Sequence, residues 1–185
     1  MKTRRFVLLD RDGTLIAERN YLARVEEVEL LPTAAQGLRL LQDAGLGLTV
    51  LTNQSGLGRG YFDWDTLNAV HARLVQLLAD EGVSLDRIYV CPHTPEDECS
   101  CRKPQLGLAQ RAAAELHFDL TESFVIGDKP CDIELGRRIG ALAFLVRTGY
   151  GALWERQGLR ADYIVDDVLA AAHIILEKIG TKKSY

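Results

Sequence analysis

The stretch Phe6-Val7-Leu8-Leu9-Asp10-Arg11-Asp12-Gly13-Thr14 sets a short apolar run directly against an acidic turn. Four apolar residues that stop at a polar cluster predict a buried strand ending at a loop. Two carboxylates two residues apart, Asp10 and Asp12, can meet on one side of the chain, and Gly13 permits the sharp turn that follows. A calcium loop would carry glycine at its sixth position and glutamate at its twelfth, with no buried strand before it. Here glycine is fourth, so that reading fails. Taken alone, an ordinary Asp-Gly turn explains the segment, and the rest of the chain has to supply the reason for more.

Outward from this strand, apolar runs alternate with segments of helical period. Residues 33–44 place Ala34, Leu38, Leu41 and Ala44 on one helix face, after Pro32 and before Gly45. Leu48 to Leu51 reads as a second strand, ending at Thr52-Asn53. Residues 63–81 form an amphipathic helix with Leu67, Val70, Leu74 and Leu78 together. Strands over 88–91, 124–126, 142–146 and 163–165 alternate with helices over 105–116, 132–139 and 167–178. Repeated β-α alternation predicts an α/β fold with a mostly parallel sheet and helices on both faces. Residues at the carboxyl ends of such strands converge on one crevice. No Pro/Gly-rich linker or repeat breaks the chain, so residues 1–185 are expected to form one domain.

Those strand ends carry the chemistry. Thr52 and Asn53 precede Gln54-Ser55-Gly56, and a hydroxyl with exposed backbone amides suits phosphate oxygens. Gly56, Gly58 and Gly60 fit neither of the glycine spacings of nucleotide-binding loops. Arg102-Lys103-Pro104 opens the next helical segment and offers a cation where a helix dipole favours anions. After the strand at 124–126 comes Gly127-Asp128-Lys129-Pro130-Cys131-Asp132. Pro130 fits a first helical turn, Asp132 fits a helix-start or supporting role, and Asp128 shares the sheet edge with Asp10 and Asp12. Hard carboxylate oxygens there suit Mg²⁺. Cys131 reads as a packed thiol.

Three of the four cysteines fall within residues 91–101. Cys91, His93, Cys99 and Cys101 have the composition of a closed, structural zinc site, and four protein ligands leave no position for water. Such a site would staple the loop that carries Arg102 and Lys103. His71, His117 and His173 fall in helical segments and read as ordinary surface or core residues.

Composition narrows the class. Of the 185 residues, 47% are hydrophobic and 26% charged, enough apolar material for a core. No apolar run approaches the roughly 20 residues of a membrane helix, and the basic start leads into too short an apolar stretch for a secretory signal. A cytoplasmic location is expected. The net charge of −4, with no basic block beyond Lys182-Lys183, argues against a nucleic-acid partner. That short tail reads as a frayed, solvated end. No long exposed apolar stripe is evident, and a monomer is expected.

The order strand-Asp-x-Asp-Gly-Thr, strand-Thr-Asn, Lys, strand-Gly-Asp resembles the haloacid dehalogenase (HAD) superfamily over essentially the whole chain. The resemblance implies a Rossmann-like three-layer fold and phosphate-ester hydrolysis. Asp10 would be the nucleophile and Asp12 the general acid and base. Thr52 and Lys103 would stabilise the transferring phosphoryl group. Mg²⁺ would be held by Asp10, the Asp12 backbone carbonyl and Asp128. The zinc loop, at about 91–101, resembles the subgroup of small phosphatases without a large cap domain, acting on heptose bisphosphates or on histidinol phosphate. By that resemblance Glu18, Arg19, Asn20, Tyr21, Thr52, Asn53, Gln54, Ser55, Arg102, Lys103 and Lys129 would contact a small phosphorylated metabolite. Ser55, in place of an acidic residue, and the pattern through Val146-Arg147-Thr148-Gly149 favour the heptose branch. The competing class is a zinc-stapled binding module without catalysis, against which the complete set of Asp10, Asp12, Thr52, Lys103 and Asp128 argues. A phosphotransferase would need a cap to exclude water.

Overall fold

Phe6–Leu9 forms strand β1, buried along its length, in the computed structural model, which describes residues 4–180. The Lys182-Lys183 tail lies outside the described residues. Five further strands follow: β2 (Gly47–Asn53), β3 (Arg87–Cys91), β4 (Phe124–Gly127), β5 (Leu142–Val146) and β6 (Tyr163–Val165). They lie in the order β3-β2-β1-β4-β5-β6, with every neighbouring pair parallel. Parallel neighbours require crossovers, and helices supply them. These are α1 (Ala34–Asp43), α2 (Ser55–Gly58), α3 (Trp64–Asp80), α4 (Gly107–Leu116), α5 (Pro130–Ile139) and α6 (Gly151–Arg156), and a last helix, α7 (Val168–Gly180), follows β6.

The alternation of side chains along β1 divides the core in two. Val7 and Leu9 face a cluster with Leu38 and Leu41 of α1, Leu74 and Leu78 of α3 and Ala171 and Ile175 of α7. Phe6 and Leu8 face the other side, with Leu108 and Ala112 of α4 and Leu135 and Ile139 of α5. The sheet is therefore the middle of three layers, and its near-continuous apolar strands follow from burial on both faces. Truncating a side chain such as Leu41, which is fully buried, to alanine costs about 2–5 kcal/mol.

The helix boundaries follow local chemistry. Asp63 caps α3, its Oδ1 accepting from the Thr66 N–H at 2.9 Å. Thr33 leads into α1 but does not cap it: its hydroxyl donates to Asp167 Oδ2 at 2.7 Å, joining the start of α1 to the start of α7. Two expectations shift, and two short helices are new. Pro130 starts α5 two residues earlier than residue 132, as the first-turn preference of proline allows. α4 starts at Gly107, so Lys103 stands in a turn ahead of the helix and not in its first turn. The short helices α2 and α6 have too few residues for a 3.6-residue period to show.

β1 has β2 on one side and β4 on the other, so the chain winds away from it in opposite directions. A crevice opens at such a switch point, outside the carboxyl ends of the strands. Asp10 follows β1 directly, Asp128 follows β4, and Thr52 and Asn53 end β2. Among the described residues no helix is long and apolar enough to cross a membrane.

Candidate active site

Asp10 is nearly buried and meets Lys103, which reaches it from the turn before α4. Lys103 Nζ donates to Asp10 Oδ1 at 2.8 Å and to Asp132 Oδ1 at 2.7 Å. Both ion pairs are inside the protein. Asn53 sets the lysine's backbone: its side-chain amide donates to the Lys103 carbonyl at 3.1 Å and accepts from the Lys103 N–H at 3.0 Å. Burial opposes charge on Asp10, but the Lys103 and Lys129 cations outweigh it and hold its carboxyl below the usual range. Lys103 is raised in turn: burial disfavours its charge, and the Asp10 and Asp132 carboxylates more than compensate.

Asp128, wholly buried, is fixed from the loop after β5. The Tyr150 N–H donates to its Oδ2 at 2.8 Å. The approach depends on two glycines at positive φ, Gly13 (80°) and Gly149 (55°), because a Cβ on either would collide with Asp128 Oδ2. The other oxygen, Asp128 Oδ1, is buried without a hydrogen-bond partner. Burial, then the Asp10 charge, pushes the Asp128 carboxyl up to about 8. Carboxylate oxygens of Asp10, Asp128 and Asp132 lie within 4.8 Å of one another. Both Asp132 oxygens are taken, one by Lys103 and the other by the Lys129 N–H at 3.1 Å. That leaves Asp10 and Asp128, whose Oδ1 has no hydrogen bond and only the Lys129 ammonium 3.9 Å away, as a hard-oxygen site where the two lysines do not balance the three aspartates, which fits Mg²⁺. The Asp12 carboxylate is outside this group; it faces Arg11 and Gln54.

The crevice has a volume of about 270 Å³ and its lining includes Asp10, Asp12, Lys103 and Lys129. Glu18, Asn20, Tyr21, Asn53, Gln54, Ser55 and Arg102 also line it. Two of the expected contacts stand apart. Arg19 turns outward to pair with Glu29 at 2.8 Å. Thr52 is buried below the lining, its hydroxyl accepting from Gln54 Nε2 at 2.7 Å. Lys129 donates to Glu18 Oε2 at 2.9 Å and lies 5.4 Å from the centre of the Tyr150 ring. Sequence reasoning passed over Tyr150, Arg11 and the double engagement of Asp132. Arg11, a charged residue beside a buried strand, was the one legible signal among them.

Cys91, His93, Cys99 and Cys101 converge. Their sulfur atoms lie 3.2–3.6 Å apart, and His93 Nδ1 is 3.2 Å from Cys101 Sγ and 3.6 Å from Cys91 Sγ. A tetrahedral zinc with Zn–S bonds near 2.3 Å places sulfurs about 3.8 Å apart, whereas a disulfide needs about 2.05 Å. All four cysteines are free thiols. Burial pushes the Cys91 and Cys101 thiols up, whereas at Cys99 burial is outweighed by the backbone N–H groups of Cys101 and Arg102, which bring it down to about 7; binding a metal would draw all three into the thiolate form. The donor set and its spacing fit zinc. The loop is also tied to the crevice, since Arg102 Nη1 donates to the His93 carbonyl at 3.2 Å and the Gln54 N–H to the Cys91 carbonyl at 2.8 Å.

A parallel α/β sheet with an aspartate after β1, a buried lysine against it and a further aspartate after β4 defines the HAD class of hydrolases, and a family profile described as HAD-hydrolase-like matches residues 100–171. Relatives extend the match to nearly the whole chain. The D-glycero-beta-D-manno-heptose-1,7-bisphosphate 7-phosphatase of Pseudomonas aeruginosa is 35% identical over 177 residues, covering 95% of this chain and 99% of its own. The D-glycero-D-manno-heptose-1,7-bisphosphate 7-phosphatase of Thermosynechococcus vestitus is 38% identical, covering 95% and 97%. Among solved structures, the D,D-heptose 1,7-bisphosphate phosphatase of B. bronchiseptica, complexed with magnesium and phosphate, superposes with a TM-score of 0.87 at 35% identity, covering 94% and 99%. The chain belongs to this family of HAD phosphatases.

Proposed function

We infer that this protein is a Mg²⁺-dependent phosphatase that removes the C7 phosphate of D-glycero-D-manno-heptose 1,7-bisphosphate, in the beta form named for most of the relatives. The observation that carries the reaction class is the buried Asp10–Lys103 pair beside an Asp128 oxygen that has no hydrogen bond. The substrate rests on the relatives that align over almost the full length.

In this reading an Asp10 oxygen attacks phosphorus in line with the C7–oxygen leaving group, and the P–O bond to the sugar breaks. Asp12 gives its proton to the departing alkoxide, and an aspartyl-phosphate remains. Asp12 then takes a proton from water as that water attacks phosphorus, which frees phosphate and restores Asp10. Lys103 holds Asp10 ionised and places a positive charge beside the transferring group, where charge and positioning dominate the barrier. Asp132 keeps Lys103 in place. Thr52 stands below the phosphoryl site, and Lys129 and Arg102 meet the substrate's anionic groups. Asp10, the Asp12 backbone carbonyl and Asp128 would hold Mg²⁺, which when bound neutralises charge on the phosphoryl oxygens. Cys91, His93, Cys99 and Cys101 would hold structural zinc.

The test is initial-rate phosphate release, with Mg²⁺, from both anomers of the heptose bisphosphate, from histidinol phosphate and from fructose bisphosphate. The beta heptose bisphosphate is expected to give the highest kcat/KM, and a preference for histidinol phosphate would overturn the substrate assignment. Asp10→Asn is expected to release no phosphate while retaining the native circular dichroism spectrum; a folded Asp10→Asn variant working at the wild-type rate would remove the nucleophile.

A further inference from the structure

Outside the crevice, on α3, His71 touches a guanidinium that has no exit to solvent. Arg11 is 1% exposed, and arginine can only donate. Its Nε donates to Asp12 Oδ2 at 3.0 Å and its Nη2 to Asp12 Oδ1 at 2.9 Å. Nη2 also donates to Gln54 Oε1 at 3.1 Å. The other terminal nitrogen, Nη1, lies 2.9 Å from His71 Nε2. Because Arg11 offers only N–H groups, Nε2 has to accept, which makes His71 the neutral tautomer with its proton on Nδ1.

The same logic sets the Gln54 amide. Its oxygen is committed to Arg11, so its nitrogen must face the other way. There it donates to Asp12 Oδ2 at 2.8 Å and to Thr52 Oγ1 at 2.7 Å. One acceptor on α3 thus stands at the head of a chain of directional bonds running through Arg11 to Asp12, and through Gln54 to Thr52. No other hydrogen bond of the Arg11 side chain reaches an element beyond the two strand-end loops. His71 is what anchors the guanidinium to the helical layer.

We propose that His71 is a positioning residue for the phosphatase: by accepting from Arg11 Nη1 it fixes the guanidinium that aligns Asp12 for proton transfer to the leaving alcohol. This deepens the reading of the site given above and rests on it. A group that acts through the general acid has a signature that a packing residue lacks. Its loss slows esters with poor leaving groups, which need the proton, far more than esters whose leaving group departs unassisted.

The experiment compares wild type, His71→Leu and His71→Gln on three phosphate esters: the heptose bisphosphate, glycerol 2-phosphate and p-nitrophenyl phosphate. Gln can place an oxygen near the position of Nε2 and so retains the acceptor. For His71→Leu, kcat/KM on the two alkyl esters, which covers the steps up to the aspartyl-phosphate and not its hydrolysis, is expected to fall roughly tenfold to a hundredfold, a part of the total that general acid catalysis supplies. On p-nitrophenyl phosphate kcat/KM should fall by less than about threefold, because the base role of Asp12 in the later hydrolysis does not enter it, and His71→Gln should recover most of the loss. Equal losses on alkyl and aryl esters, no loss at all, or a His71→Gln variant as slow as His71→Leu would each overturn the proposal. If His71→Leu does not fold, the comparison of His71→Gln with His71→Asn, whose shorter amide cannot reach Nη1, takes its place. The glycerol ester separates the two claims. A wild type that hydrolyses it but not the heptose ester refutes the substrate assignment and still tests His71.

Discussion

At the scale of single residues, the crevice works by setting buried charges against each other, and His71 shows what that costs away from the chemistry. Burial first, then the neighbouring Arg11 cation, pull its imidazole from 6.5 down to about 4. Between those values an unfolded chain takes up a proton that the native protein refuses. Stability is therefore complete above about pH 6.5 and declines as the pH falls towards 4. The full difference is on the order of 3 kcal/mol. Since carboxylates contribute to acid unfolding too, the measurement is the difference between wild type and His71→Gln in urea unfolding across pH 4–7. The wild type is expected to show the steeper decline, and parallel curves would mean that His71 carries a proton in the native state. None of this was legible locally. A lone histidine in a helix reads as ordinary, and its partner lies 60 positions earlier in the chain. The same distance problem hid the grip of Asp132 on Lys103, whereas Asp10, Asp12 and Asp128 announced themselves by standing where apolar strands stop.

At the scale of elements, the strand ends were readable because the sheet is buried on both faces, so each strand is an apolar run with an abrupt polar finish. Helix starts were less so. The first turn of α5 shows why: Asp132 serves two masters there. Its Oδ2 accepts from the Lys129 N–H, closing the helix start, and its Oδ1 holds Lys103. A helix-start aspartate is commonplace, and only the fold reveals that the lysine of the preceding crossover ends on it. Asp132→Ala removes both roles, leaving one open helix N–H and a buried lysine balanced by Asp10 alone. A lost cap costs about 1 kcal/mol and a broken buried pair about 3–5. The variant is expected to lose about 4–6 kcal/mol in denaturant unfolding, and phosphate release should fall because Lys103 is no longer held from two sides. Asp132→Asn keeps an acceptor for the Lys129 N–H, so it should be the more stable of the two. Equal stability of the two variants would show that the cap contributes nothing.

At the scale of the whole molecule, an acidic chain has to present cations to an anionic substrate. Net charge is −4, yet Lys103, Lys129 and Arg102 all face one crevice. Lys129 is placed by the loop after β4, but Lys103 and Arg102 depend on a turn with no regular structure between Cys101 and the start of α4. Two devices hold that turn. Asn53 clamps the Lys103 backbone from β2, and the Cys91–His93–Cys99–Cys101 cluster closes the loop just before it. Cys91 in β3 belongs to the apolar cluster on the α4–α5 side of the sheet and Cys99 and Cys101 pack against it, but the rest of that cluster, and the cluster on the opposite face, come chiefly from strands and helices away from the loop. Metal-binding energy at such a site is folding energy for the loop and much less so for the sheet. Stripping the metal with a chelator and restoring Mg²⁺ alone is therefore expected to lower kcat by at least tenfold, the scale of misplacing one positioning group. The far-ultraviolet circular dichroism should be retained, and amide exchange should rise selectively over residues 92–106. Adding Zn²⁺ back should recover activity, with one zinc bound per chain. Global unfolding on chelation would instead make the cluster a keystone of the core, and full activity with Mg²⁺ alone would leave Asn53 as sufficient support for Lys103.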